Sequence, residues 1–80
     1  MNQINILHDK RLKSNEYHIL NIANERAMLL GYHPDEFQII ASREKRFWKI
    51  YYKPLKFQLG GDLTIFISKN GKIKKVERGQ

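Results

Sequence analysis

The stretch Phe47-Trp48-Lys49-Ile50-Tyr51-Tyr52-Lys53 alternates so regularly that an extended strand is the conformation that gives it two chemically distinct sides. Trp48, Ile50 and Tyr52 fall on one face, and Phe47, Lys49, Tyr51 and Lys53 on the other. Pro54 has no N–H to donate to a ladder, so the strand is expected to stop there. A strand with one strongly apolar face needs a cover for that face and neighbours along its edges.

The cover is expected between Ser14 and Leu30, where Ile19, Ile22, Ala23, Ala27 and Leu30 recur at spacings of three and four on one helical face. Ser14 or Asn15 is expected to cap the first turn, and Gly31 to end the helix in the left-handed conformation. Pro34 then blocks continuation. The neighbours follow. Glu36 to Ser42 sets Phe37, Ile39 and Ala41 against Gln38, Ile40 and Ser42, and the charged run Arg43-Glu44-Lys45-Arg46 reads as a hairpin turn. Leu55 to Gly61, containing Phe57, reads as a loop, after which Leu63, Ile65 and Ile67 form the inner face of a third strand.

Asn70-Gly71 signals a two-residue type I′ turn. That turn would set Ile65 opposite Val76, Phe66 opposite Lys75, Ile67 opposite Lys74 and Ser68 opposite Ile73. Ile73 and Val76 would then lie on opposite faces, so either a bulge interrupts the strand near Lys74-Lys75 or one of the two leaves the core. The expected fold is α+β: one N-terminal helix packed on an antiparallel sheet of about four strands, with the far sheet face open.

A chain of 80 residues has room for one core, which excludes a two-domain enzyme and makes 1–80 a single domain, with 1–13 an extended or flexible N-terminal segment. The absence of cysteine excludes a disulfide framework and a thiolate metal site. MNQINILHDKRLK is not a signal peptide, and no stretch approaches the roughly 20 apolar residues that span a bilayer. A cytoplasmic protein without membrane association is the simplest expectation.

Charge is unevenly placed: residues 1–40 hold 4 cations against 5 acids, and residues 41–80 hold 11 against 3. Such a field steers acidic partners and says nothing of fold. Catalytic signals are weak by comparison. Gly60-Gly61 leads into a strand, not into the helix N-terminus that a phosphate loop serves. His8, His18 and His33 are scattered, with no i, i+4 pair, and no G-x-S-x-G occurs. The chain is therefore expected to be neither an enzyme nor a metal or cofactor carrier. Trp48, Tyr51 and Tyr52 among Lys45, Arg46, Lys49 and Lys53 leave nucleic-acid binding on the sheet face as an alternative, although no ribonucleoprotein motif is present and Trp48 is expected to pack under the helix.

The helix ending Leu30-Gly31-Tyr32, the strand Phe47 to Pro54, Leu59-Gly60-Gly61-Asp62-Leu63 and Ser68-Lys69-Asn70-Gly71-Lys72-Ile73 with the terminal Gly79-Gln80 together resemble small bacterial domains of the cystatin-like, nuclear-transport-factor-two-like group. Within it, the likeness is to immunity proteins found beside polymorphic toxins, and it covers about residues 17–80. The resemblance implies a helix on a curved antiparallel sheet and a role in binding and neutralising a cognate toxin, with no catalytic residue carried over. Peptidase-propeptide-type domains share the helix-plus-sheet plan and an N-G-K hairpin, and are the alternative resemblance, one that also implies an inhibitory role. A basic blocker suits a toxin with an acidic surface better than a basic nuclease. The residues expected to make the interface are Lys49, Tyr51, Lys53, Phe66 and Lys75, cations and aromatics sharing the outer sheet face. A solvated face, or a seam between two copies of the chain, is the alternative use of the same residues.

Overall fold

The computed structural model describes residues 2–5, 14–56 and 60–79. In chain order they form β1 (Asn2–Asn5), α1 (Ser14–Leu29), a short 3-10 turn (Pro34–Glu36), β2 (Phe37–Arg43), β3 (Phe47–Pro54), β4 (Leu63–Ser68) and β5 (Ile73–Arg78). The sheet is antiparallel throughout and its strands lie in sequence order, β1-β2-β3-β4-β5. The α+β fold expected from the sequence is present, with α1 packed on one face of β2 to β5 and β1 added as a fifth strand beside β2, Ile4 opposite Ala41. Residues 6–13 and 57–59, the second group including Phe57 of the expected loop, lie outside the described residues. Among the described residues no helix is long and apolar enough to cross a membrane.

The alternation read from the sequence sets the layers. Trp48, Ile50 and Tyr52 of β3 stand opposite Arg43, Ala41 and Ile39 of β2 on one side and Ile67, Ile65 and Leu63 of β4 on the other. These side chains, Arg43 aside, are buried with Phe37 beneath Ile19, Leu20, Ala23 and Ala27 of α1. Burying a side chain of that size contributes about 1.5–3 kcal/mol each, so this layer carries most of the stability. The two alanines let the helix approach the aromatics closely. Tyr52 uses its polar end as well: its hydroxyl donates to Asn24 Oδ1 of α1 at 2.6 Å, while its ring meets the edge of Phe37 at 6.1 Å between centroids.

Helix α1 ends as the sequence predicts. Gly31 has φ +92°, and the Tyr32 N–H donates to the Ala27 carbonyl at 2.9 Å while the Gly31 N–H donates to that of Met28 at 3.0 Å. This is the paired closure of a Schellman motif. At the start, Ser14 and Asn15 are both helical, and the residue before them lies outside the described residues. Arg43, expected in the turn, is the last residue of β2.

The β4–β5 hairpin corrects one expectation and resolves another. Among the described residues none other than glycine has positive φ, so Asn70 cannot occupy a type I′ turn. Instead the Gly71 N–H donates to the Ser68 carbonyl at 3.0 Å, Gly71 itself takes φ +93°, and the Ser68 N–H donates to the Lys72 carbonyl at 2.7 Å. The loop thus has three residues, a turn followed by a left-handed glycine. The Lys72 N–H donates to the Ser68 hydroxyl at 3.0 Å, and that hydroxyl donates to Asn70 Oδ1. Ile67 consequently faces Ile73, not Lys74, and Ser68 does not face Ile73. The register then shifts between Phe66 and Ile67, leaving Lys74 as the bulged residue, and Ile65–Val76 and Phe66–Lys75 pair as expected. The bulge turns both Ile73 and Val76 toward the core.

One deletion separates this arrangement from a regular ladder. Removing Lys74 should leave every other pair in register, so a chemical-denaturation midpoint should move by less than about 1 kcal/mol. Removing Lys74 and Lys75 together should throw Val76 to the outer face and cost about 2 kcal/mol or more.

Candidate functional site

Because α1 covers only one side, the odd-numbered positions of β3 and their cross-strand partners form a second face that, among the described residues, has no helix over it. The register arranges it in rows: Ser42, Lys49, Phe66 and Lys75 across the middle; Ile40, Tyr51, Thr64 and Glu77 in the next; Gln38 beside Lys53 at one end and Phe47 beside Ser68 at the other. All five residues expected to make an interface, Lys49, Tyr51, Lys53, Phe66 and Lys75, stand on this face. Lys49, Lys53 and Lys75 are exposed; Tyr51 and Phe66 are half-buried. Ser42 and Thr64 are short and sink between longer neighbours, so they are buried although they belong to the open side.

The aromatics are held in place by specific contacts. Phe66 meets Phe47 edge to face with 5.7 Å between centroids, a geometry favoured by the ring quadrupoles. The Lys75 ammonium lies 5.7 Å from the Phe66 ring centre and 2.9 Å from Glu77 Oε2. The Tyr51 hydroxyl donates to Asp62 Oδ2 at 3.1 Å. Burial first, then the Asp62 carboxylate as acceptor and as nearby charge, push the Tyr51 phenol above its ordinary range, so it keeps its proton and goes on donating. Asp62 is fixed in turn: the Gly79 N–H donates to its backbone carbonyl at 2.9 Å, and a side chain at Gly79 would collide with its carboxylate.

Among the described residues, neither Lys49 nor Lys53 has an ion-pair partner. The face therefore sets the aromatics Phe47, Tyr51 and Phe66 around Lys49 on the central strand, with Ile40 beside Tyr51 and with Lys53 and Lys75 farther out. Fixed aromatics interleaved with exposed cations are a composition found in protein-binding patches. Ile40 and Phe47 belong to it although neither was singled out from the sequence; the period-two pattern already placed both on this side.

Trp48 is on the other face, 3% exposed, under α1 as expected. Among the described residues, no group of three or more His, Asp and Glu side chains is placed to hold a metal ion. Asp35 and Glu36 border an open groove of about 460 Å³ with Phe37, Pro54, Leu55 and Lys56, at the opposite end of the sheet from His18. No protein-family model, curated protein or solved structure matches the chain.

Proposed function

We propose that the chain is a non-catalytic binding module, an immunity-type protein that neutralises a cognate bacterial toxin by laying its open sheet face on an acidic surface of that toxin. The observation that carries this reading is the face itself: Tyr51 and Phe66, each locked by its own contacts, sit between exposed lysines of which two have no ion-pair partner among the described residues. Preordered aromatics lose little rotamer freedom on binding, and unpaired cations gain by meeting carboxylates. The order strand, helix, four-strand meander supports the cystatin-like part of the resemblance.

Nucleic acid on the same face is the second reading, favoured by Lys49 and Lys53 beside Tyr51. Against it, single-strand binders stack bases on open ring faces, whereas Phe66 is engaged by Phe47 and Lys75. Asp62 and Glu77 also place two carboxylates beside the rings, which repel phosphates. A face-to-face pair of identical chains would bring the exposed lysines of one copy toward those of the other, which disfavours a homodimer through this surface.

The test is to look for a toxin-bearing reading frame beside the gene and to measure a binding isotherm between this chain and that frame's product, alongside an electrophoretic shift assay with single-stranded nucleic acid at physiological salt. Tight binding to the protein without a shift is expected. A shift abolished by replacing Lys49 and Lys53, with no protein partner bound, would transfer the face to nucleic acid.

A further inference from the structure

On the helix side, at the hairpin end of the sheet, three segments distant in sequence converge. The first turns of α1 bring Asn15, His18 and Ile19, the end of β2 brings Arg43, and the β4–β5 loop brings Lys69; with Trp48 they line a groove of about 380 Å³. Two cations share the one indole. The Arg43 guanidinium carbon lies 5.0 Å from the ring centre and the Lys69 ammonium 5.9 Å.

The ring's quadrupole holds each cation, but their mutual repulsion remains. One carboxylate offsets it in part: Glu16, 7% exposed, stands 4.0 Å from Arg43. Lys69 has no ion-pair partner among the described residues, so the groove keeps a surplus of positive charge. Its N–H donors also come from different directions, the Arg43 fork from a strand, the Lys69 ammonium from a loop, and the Asn15 amide and His18 ring from a helix. Such a spread suits a tetrahedral oxyanion better than a flat carboxylate, which one Arg fork satisfies in its own plane.

We propose that this groove binds a phosphate group, with Arg43 and Lys69 supplying the charge and Asn15 and His18 the remaining hydrogen bonds. Trp48 is too deeply covered to stack on a base, so recognition is of the phosphate and not of a nucleobase. The groove lies on the opposite side of the sheet from the open face, and it stands whether or not that face binds a toxin.

Trp48 is the chain's only tryptophan, so its fluorescence is a single indole signal that senses this groove as well as the core around it. The full chain is titrated with sodium phosphate, sodium acetate and sodium chloride at matched ionic strength. A saturable change in Trp48 emission with phosphate alone is expected, weakened about tenfold in Lys69→Gln, as befits loss of one charge-assisted contact. Lys69 is exposed in a loop, so that variant keeps the fold. A response equal in the three salts, or a Lys69→Gln variant that titrates as the parent does, would overturn the assignment.

Discussion

Tyr52→Ala is expected to leave most of the chain unfolded near physiological temperature. Tyr52 is fully buried, paired with Ile39 and Leu63 across both strand edges, set against the Phe37 ring, and tied to α1 through Asn24. Truncating a buried aromatic costs about 3–5 kcal/mol, a large part of the roughly 4–12 kcal/mol that holds a domain of this length. Asn24, half-buried, would lose its donor as well. The melting midpoint, followed by circular dichroism, should fall by about 15–30 °C. Tyr52→Phe isolates the hydroxyl and should cost about 1–2 kcal/mol. A Tyr52→Ala variant that melts like the parent would show that the helix does not depend on this contact.

The same residue predicts an alkaline limit. Burial pushes the Tyr52 phenol well above its ordinary range, so the folded state favours the protonated form. That preference contributes its full stability below the unfolded-state value of about 10 and is lost as pH rises above it. Stability should therefore fall above about pH 10, and Tyr52→Phe should show a shallower fall. Equal slopes for the two proteins would assign alkaline unfolding to other groups.

What the sequence made legible were features decided by neighbours along the chain. The alternation at 47–53 assigns Trp48, Ile50 and Tyr52 to one face because successive strand side chains must point oppositely, and Gly31 marks a helix end because few other residues take its φ. Asn2–Asn5 is too short for its alternation to be recognised, so β1 could be found only through its pairing with β2. The Asn70-Gly71 dipeptide does not distinguish a type I′ turn from a three-residue loop. Here the Ser68 side chain takes the Lys72 N–H, and the bulge at Lys74 restores the register that the longer loop displaced. The open face was legible as a set of residues, but not its fixation, because Tyr51–Asp62 and Phe47–Phe66 are contacts across strands. Still less legible was the meeting of Arg43 and Lys69 on Trp48, which needs the helix, a strand end and a loop in place together.

Tyr51→Ser combined with Phe66→Ser should abolish capture of the partner and leave the fold intact. Both side chains lie on the face away from α1, so their loss removes half-buried area and the Phe47 contact but nothing from the layer beneath the helix. A drop of about 1–3 kcal/mol in stability is expected, with Trp48 emission still that of a buried indole. Binding should respond far more steeply, because aromatic anchors of a binding patch each contribute about 2 kcal/mol or more, several hundred-fold in affinity together. Lys49→Ala with Lys53→Ala should act differently. Exposed charges on a binding face govern encounter, so this pair should slow association and flatten its dependence on salt between about 50 and about 500 mM. If the aromatic pair binds as the parent does, the open face is not the interface. If it fails to fold, the two faces of the sheet have been assigned in the wrong sense, an outcome that the far-ultraviolet spectrum of the variant distinguishes at once from loss of binding.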